Sequence, residues 1–157
     1  MAMDSDFKKA MDSLLRQAIV FDGAQKGLLQ MYDPEEQVLR VVAHVGFGER
    51  FLKLFEVVRA FDASACGRAL GLRDRVIIKD VRTEVAFVPF LDVVSQEGFR
   101  SVKAIPLFFK DNSIAGVIST HFVETQNALF SKGEIPEEHL SMILRRLQSE
   151  RFNLLAS

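Results

Sequence analysis

Residues 101–123 have the sequence SVKAIPLFFKDNSIAGVISTHFV, and this stretch decides the fold class. Two runs rich in β-branched and aromatic residues, at 101–109 and 114–123, flank the polar turn Lys110-Asp111-Asn112-Ser113. Apolar runs on either side of such a turn are typical of a β-hairpin. Because the strands of a hairpin are antiparallel, the sheet that contains this one is predicted to be largely antiparallel.

A second hairpin and a set of amphipathic helices complete the predicted element order. The hairpin has strands at residues 27–33 and 37–45 around Asp33-Pro34-Glu35-Glu36. Apolar residues at helical spacing predict long helices at 5–20, ending near Gly23, and at about 135–155. Shorter helices are predicted at 48–58, 64–71 and 86–97, and a further strand at 75–81. The order α-β-β-α-α-β-α-β-β-α predicts an α+β fold with the two long helices on one sheet face and the short helices on the other.

Local signals give these elements finer expectations. Ser64 is placed to cap the helix at 64–71, and Gly71 is placed to end it. Pro89 is compatible with the helix at 86–97 only within its first turn. In the strand 114–123, side chains alternate, so Val117, Ser119 and His121 are predicted on one face, opposite Ile118, Thr120 and Phe122.

Composition excludes several classes of protein. The 157-residue chain has the size of one domain, and no linker-like segment divides it. Lys and Arg number 20 against 21 Asp and Glu, without the basic surplus of a nucleic-acid-binding protein. The single cysteine excludes an intrachain disulfide or a CxxC pair. No apolar run approaches the ~20 residues of a membrane span, and the acidic N-terminus is unlike a secretory signal, so a soluble cytoplasmic protein is predicted.

The aromatic residues are strongly biased towards phenylalanine. There are 14 Phe, one Tyr and no Trp. Phenylalanine buries a large area and has no polar atom to satisfy. The core, and any cavity within it, is therefore predicted to be apolar.

Six segments in a fixed order resemble a GAF domain of the type common in bacterial sensor kinases. They are Arg40–Phe47 (RVVAHVGF), Ser64–Leu70 (SACGRAL), Val76–Val81 (VIIKDV), Gly98–Val102 (GFRSV), Ile105–Leu107 (IPL) and Gly116–Phe122 (GVISTHF). The resemblance covers about residues 8–152 and implies that 1–157 is a single GAF domain. It implies a central antiparallel sheet of about five to six strands with a ligand pocket on one face. It also implies a small-molecule sensor and dimerisation module, either alone or with an output domain in a larger signalling protein.

The sequence departs from the GAF members that carry known cofactors. The Cys-His pair of bilin-carrying members does not precede the strand at 101–109, and the Asn-Lys…Phe…Asp-Glu signature of cyclic-nucleotide-binding members is not found. His44, His121 and His139 lie far apart in the sequence, without the spacing of metal ligands. No cofactor is assigned, and no metal site is expected.

A ligand pocket is predicted between the sheet and the helices at 64–70 and 86–97. Such sites are mostly apolar, with a few polar groups that fix the ligand's orientation. In the bilin-binding relatives that this chain resembles, the histidine matching His121 faces the chromophore. The candidate ligand-binding residues are Phe61, Cys66, Phe87, Phe90, Leu91, Ala104, Ser119 and His121.

Two of these candidates also have structural interpretations that the sequence leaves open. Cys66 is either a redox-sensing or ligand-contacting thiol or, as unpaired cysteines usually are, a small buried core residue. His121 either faces a ligand or is a buried histidine whose ring bonds to neighbouring backbone. Neither residue is assigned a catalytic role.

The charged residues are expected to have ordinary structural roles. A group of basic residues is expected to form a solvated face with salt bridges rather than an anion clamp, because Asp74, Asp80 and Glu84 are interspersed among them. Asp22 is among the aspartates expected to cap turns or helix edges. The basic residues concerned are Arg68, Arg73, Arg75, Arg82, Arg100 and Lys103.

Three functions follow from these features. The first is a non-enzymatic sensor that binds an unidentified small molecule in an apolar pocket and signals through its terminal helices in a homodimer, with neither nucleic acid nor membrane as a partner. The alternative is a structural dimerisation module with a vestigial pocket. An enzyme resembling free methionine sulfoxide reductase is not expected, because that cycle needs at least one cysteine besides Cys66. The homodimer is predicted because Met142 and Phe152 lie off the main apolar stripe of the last helix, where a second chain could cover them.

Overall fold

The fold is built on a six-stranded, fully antiparallel sheet, as described by a computed structural model over residues 3–126 and 134–156. The strand order is β3-β2-β1-β6-β5-β4. The predicted α+β class and antiparallel sheet are confirmed. The strands are β1 (Lys26–Asp33), β2 (Val38–Val45), β3 (Val57–Arg59), β4 (Val76–Ile78), β5 (Ser101–Phe108) and β6 (Ile114–Phe122).

Five α-helices and one 3-10 helix surround the sheet within the described residues. Both long terminal helices are confirmed, and the first ends at Gly23, whose φ of 69° is the left-handed conformation that glycine adopts without strain. None of these helices combines the length and hydropathy that a membrane span requires. The helices are α1 (Ser5–Asp22), α2 (Glu49–Leu54), α3 (Ala65–Leu72), α4 (Leu91–Glu97), α5 (Glu137–Ala156) and the 3-10 helix Val85–Phe90.

The two faces of the sheet carry separate apolar clusters. On one face α1 and α5 pack with residues such as Met11, Ile118 and Leu147, all fully buried. On the other face the shorter helices pack on the sheet through buried residues such as Phe51 and Phe87. The predicted division of long and short helices between the two faces is confirmed.

The region predicted as one helix at 48–58 contains two elements. Helix α2 ends at Leu54, and Val57–Arg59 forms the edge strand β3 beside β2. The prediction of Val58 on a helical stripe was wrong, although the residue is buried as expected. A three-residue strand is too short to show the period of two that distinguishes strand from helix.

The helix predicted at 86–97 is also divided. Pro89 lies within the 3-10 helix Val85–Phe90, and the α-helix begins only at Leu91. Inside an α-helix, proline removes a backbone donor and its ring clashes with the preceding turn, which agrees with an α-helix that begins only after Pro89. The strand predicted at 75–81 is likewise shorter, Val76–Ile78.

Helix α3 begins as predicted but ends later. The Ser64 hydroxyl accepts a hydrogen bond from the Gly67 N–H at 3.0 Å, so the serine cap is confirmed. Gly71 lies inside the helix, and Arg73 takes the left-handed C-cap conformation with φ of 56°. The Phe61 ring lies against Gly71, where an added Cβ would be 2.6 Å from ring atoms, so glycine is needed here for packing rather than for ending the helix.

Candidate functional site

A small cavity of about 30 Å³ lies between the sheet and the short helices, on the face where the pocket was predicted. This volume is enough for one or two water molecules. Its walls are mostly apolar, and no charged side chain is among the described residues that line it. The lining residues are Leu28, Gln30, Phe51, Phe55, Val58, Ser64, Ala65, Cys66, Phe87, Val94, Phe99, Val102 and His121.

Gln30 is a polar lining residue that was not among the candidates predicted from the sequence. It lies on β1 opposite Val117 of β6, is fully buried, and follows a bulge at Leu29/Gln30. Neither its amide oxygen nor its amide nitrogen has a hydrogen-bond partner among the described residues. Gly116 allows the close approach of the strands, because a Cβ there would lie 2.1 Å from the Gln30 carbonyl oxygen. The sequence did contain a signal for a buried polar group, because Gln30 is the one polar residue between Leu28 and Met31.

His121 lies on β6, at the side of the cavity, with its ring among phenylalanines. The ring centroids of Phe99 and Phe47 lie 4.5 and 4.9 Å from that of His121. Its Nε2 lies 3.1 Å from the Ser119 hydroxyl, and its Nδ1 has no partner among the described residues. Burial, with a smaller contribution from the positive charge of Lys26, lowers the pKa of His121 to about 3. The imidazole is therefore neutral near pH 7.

Cys66 lies in the first turn of α3 and lines the same cavity. Burial raises the pKa of its thiol to about 12, against a smaller lowering by a hydrogen bond with Ser119. The nucleophilic form of cysteine is the thiolate, and here the thiol stays protonated at neutral pH. This environment favours the interpretation of Cys66 as a core residue over that of a redox sensor.

The structure brings some of the candidate ligand-binding residues together and separates others. Cys66, Phe87 and His121 line the cavity, and Ser119 is fully buried behind His121. Ala104 is fully buried opposite Ser119 in the sheet. These residues form one group around the cavity, and the alternation predicted for β6 is confirmed.

The remaining candidates lie further out. Phe90 is half-buried, with its ring 5.3 Å from that of Phe55, and Leu91 is a half-buried residue at the start of α4. Phe61 does not line the cavity: 66% of its surface is exposed, and its ring packs on Gly71. The Phe61 backbone has a φ of 63°, a left-handed conformation that short-range sequence patterns do not reveal for phenylalanine.

Ion pairs and hydrogen bonds connect the elements that form the cavity wall. Arg68 of α3 pairs with Glu84, just before the 3-10 helix, at 2.9 Å. Arg50 of α2 pairs with Asp92 of α4 at 2.6 Å. Glu97 accepts hydrogen bonds from Lys26 at 2.9 Å and from the Gly48 N–H at 2.8 Å. These contacts connect the 3-10 helix and α4 to the rest of the cavity wall.

The opposite face of β6 carries a buried ionic group. The Asp22 carboxylate, at the end of α1, accepts hydrogen bonds from the Lys103 ammonium and, at 2.5 Å, from the Thr120 hydroxyl. Asp22, Lys103 and Thr120 are each at most 3% exposed. The expectations that Lys103 faces solvent and that Asp22 only caps a helix edge were wrong. Charges are buried where they are paired, and this pair connects α1 to the centre of the sheet.

Several of the other basic residues form the salt bridges that were expected. Arg75 pairs with Glu134 at 3.3 Å. Arg100 pairs with Asp80 at 2.9 Å and lowers the pKa of that carboxyl. Within residues 3–126 and 134–156, no three His, Cys, Asp or Glu side chains are arranged to hold a metal ion.

Solved structures of other proteins share this fold at low sequence identity. The GAF domain region of a protein described as a membrane protein from Geobacter sulfurreducens aligns with a TM-score of 0.65 and 19% identity over 94% of each chain. A domain described as part of a two-component sensor histidine kinase from Sinorhizobium meliloti aligns with a TM-score of 0.60 and 11% identity, covering 94% of this chain and 90% of that one. Free methionine-R-sulfoxide reductase from Neisseria meningitidis aligns with a TM-score of 0.64 and 17% identity, covering 96% and 83%.

Comparison of the sequence itself gives the family. No curated protein sequence matches the chain. The family model described as GAF domain matches residues 4–143, which include all six strands and α1 to α4. The sheet order, the helices on both faces and this match over most of the sequence together show that the chain belongs to the GAF domain family.

Proposed function

We propose that this GAF domain is a non-enzymatic sensor that binds a small molecule in the cavity between the sheet and the short helices. The observation that carries the proposal is that Gln30 and His121, two residues that line the mostly apolar cavity, have buried polar atoms without hydrogen-bond partners among the described residues. A buried polar group without a hydrogen bond destabilises the folded protein, so such groups need an explanation, and ligand binding supplies one.

The proposed signal passes through β6 to the terminal helices. Ser119 and His121 lie on the cavity side of β6, whereas the Thr120 hydroxyl between them donates a hydrogen bond to Asp22 at the end of α1. A ligand that shifts β6 therefore alters the attachment of α1 on the opposite face. Helix movements of this kind are a common means of transmitting signals between protein subunits.

The proposed assembly is a homodimer formed through the terminal helices. Phe152 and Leu155 on α5 are 69% and 78% exposed, and Met142 is 44% exposed. Val20, near the end of α1, is 78% exposed. A second copy that packs α1 and α5 against the same helices would form a four-helix bundle and cover these side chains.

A structural dimerisation module is the second candidate function. The small size of the cavity, about 30 Å³, favours it, because a vestigial pocket is expected to be nearly filled by side chains. An enzyme like the methionine sulfoxide reductase neighbour is a weaker candidate. Cys66 is the one cysteine of the chain, and its raised pKa keeps it from acting as a thiolate.

Ligand binding is tested with a chemically diverse collection of small metabolites and two matched variants. Ala65→Leu places a larger side chain at the cavity wall, and Ala60→Leu makes the same change at an exposed position. We expect at least one compound to raise the melting temperature of the wild type and of Ala60→Leu but not of Ala65→Leu. If no compound gives this pattern, the structural module is the better interpretation.

The dimer is tested by light scattering coupled to size exclusion. We expect about twice the chain mass of 17.7 kDa for the wild type and the monomer mass for Met142→Glu/Phe152→Glu. The control is Val85→Glu/Val88→Glu, which removes two exposed apolar side chains from the 3-10 helix and should leave the dimer intact. A wild-type mass near 17.7 kDa at high micromolar concentration would refute the proposed dimer.

A further inference from the structure

We propose that the cavity selects a small neutral ligand bearing an amide, urea or lactam group, and that the side chain of Gln30 recognises that group. This inference rests on the proposed function, because it concerns the ligand of the same cavity. It concerns a residue that none of the GAF sequence motifs described above includes.

The recognition follows from what the Gln30 side chain offers. A carboxamide has a carbonyl acceptor and two N–H donors, and at Gln30 the oxygen and the nitrogen are both buried without partners among the described residues. The complementary group has a donor and an acceptor side by side, as in a second amide, a urea or a lactam. Two hydrogen bonds then satisfy both Gln30 atoms at once. His121 lines the same cavity, and its unpartnered Nδ1 offers a third hydrogen bond.

The neutrality of the ligand follows from the electrostatics of the cavity. The lining has no charged side chain among the described residues, and His121 and Cys66 both remain neutral at pH 7. Within the described part of the chain, two cations lie near the lining, and each is already paired. Lys26, whose charge acts on His121, is paired with Glu97, and Arg68, 6.0 Å from the Phe87 ring centroid, is paired with Glu84. Bringing a carboxylate or an ammonium group into this environment would leave a buried charge without a counterion, which is strongly unfavourable. The cavity therefore discriminates against an acid that has the same shape as the amide.

The size of the ligand is limited by the part of the wall that can move. The cavity of about 30 Å³ accommodates only a few non-hydrogen atoms. A ring attached to the amide would have to displace the 3-10 helix and α4, which carry Phe87 and Val94 of the lining. The Arg68–Glu84 and Arg50–Asp92 ion pairs that hold these elements are partly or largely exposed, and exposed pairs contribute little stability. The Phe-rich wall provides an apolar surface for such a ring.

The experiment compares amides with acids of the same shape. Acetamide and acetate form one pair, benzamide and benzoate form another, and toluene supplies a ring without a polar group. Binding is measured at pH 7.5 from the backbone amide shifts of residues 28–30 and 119–121. We expect benzamide to bind at least tenfold more tightly than benzoate, and acetamide to bind more tightly than acetate.

Variants at position 30 show whether Gln30 is responsible. Gln30→Met keeps the length of the side chain without its polar atoms, and Gln30→Leu is a second choice if the first does not fold. We expect the wild type to bind benzamide at least tenfold better than toluene, and either variant to bind it no more than threefold better, with toluene binding retained. Such a result would assign the selectivity to the Gln30 amide rather than to the shape of the cavity.

The other outcomes separate this inference from the proposed function. If benzoate binds as tightly as benzamide, or if the variants bind benzamide as the wild type does, amide selection is wrong, although the cavity still binds ligands. If toluene is the only compound that shifts the backbone amides of residues 28–30 and 119–121, amide selection is also wrong, although the cavity still binds ligands. If none of the five compounds shifts them, amide selection is overturned, and the metabolite screen with Ala65→Leu decides separately on the proposed function.

Discussion

Replacing Gln30 with methionine should make the ligand-free protein more stable, although the change is in the centre of the sheet. The two side chains are similar in length, so the packing of β1 is preserved, while two buried atoms without partners are removed. An unsatisfied buried polar group costs about 1–3 kcal/mol, which sets the expected gain in the free energy of unfolding. For a chain of this size, a gain of about 2 kcal/mol raises the melting temperature by roughly 4–8 °C.

The measurement is urea denaturation of the wild type and Gln30→Met, accompanied by thermal melting. Gln148→Met makes the same change at an exposed position on α5 and should alter stability by less than about 0.5 kcal/mol. A loss of more than about 1 kcal/mol in Gln30→Met would refute the reasoning. It would show that the Gln30 amide is already satisfied, for example by ordered water in the cavity.

Three further predictions test other parts of the structure. Asp22→Ala removes the carboxylate from the buried Lys103 ammonium and should lower the free energy of unfolding, measured in urea, by about 3–5 kcal/mol. Thr120→Val, which removes one hydrogen bond to the same carboxylate, should lower it by about 1.5–3 kcal/mol. Equal, small losses in the two variants would contradict the buried ion pair. The pKa of His121 is about 3 in the folded protein and ordinary, near 6.5, in the unfolded chain, so the unfolded chain takes up the proton first as pH falls. Stability is therefore lost below pH 6.5, by about 1.4 kcal/mol between pH 7.5 and 5.5, and His121→Gln should lack this component; identical pH profiles would contradict it. Cys66→Ala should lower the free energy of unfolding by about 1 kcal/mol. Iodoacetamide should modify the Cys66 thiol far more slowly in the native protein than in the denatured one. Rapid modification of the native protein would favour a reactive thiol.

The sequence predicted the sheet well because its signals are local. The alternation of Ser119 and His121 with Thr120 follows from strand geometry alone, and the structure shows those residues on opposite faces. The turn residues of both hairpins specified antiparallel pairing. The edge strand β3 was missed because three residues carry no clear period, and because Val58 continued the helical spacing of Phe51 and Phe55.

The composition of the cavity depended on contacts that sequence patterns do not contain. The aromatic bias predicted apolar walls, and Phe87 does line the cavity. Gln30 was missed because a polar residue within a strand usually faces solvent, whereas β1 is covered on both faces. Lys103 was predicted to face solvent because the residue that pairs with it in the core, Asp22, lies 81 residues earlier in the chain. Phe61 was predicted to bind the ligand, but its backbone is left-handed and its ring packs on Gly71.

The pairing of β1 with β6 has a consequence for how the protein folds. β1, β2 and β3 pair as neighbours within the first part of the chain, and β4, β5 and β6 do so within the later part. The ladder between β1 and β6, which begins with Lys26 opposite His121, joins these two three-stranded halves across almost a hundred residues. Closing so long a loop is entropically costly and slow, and until it closes β1 has an unpaired edge that can pair with another chain. Gln30 and His121 lie on opposite sides of this seam, so the cavity is completed in the same folding step that removes the edge.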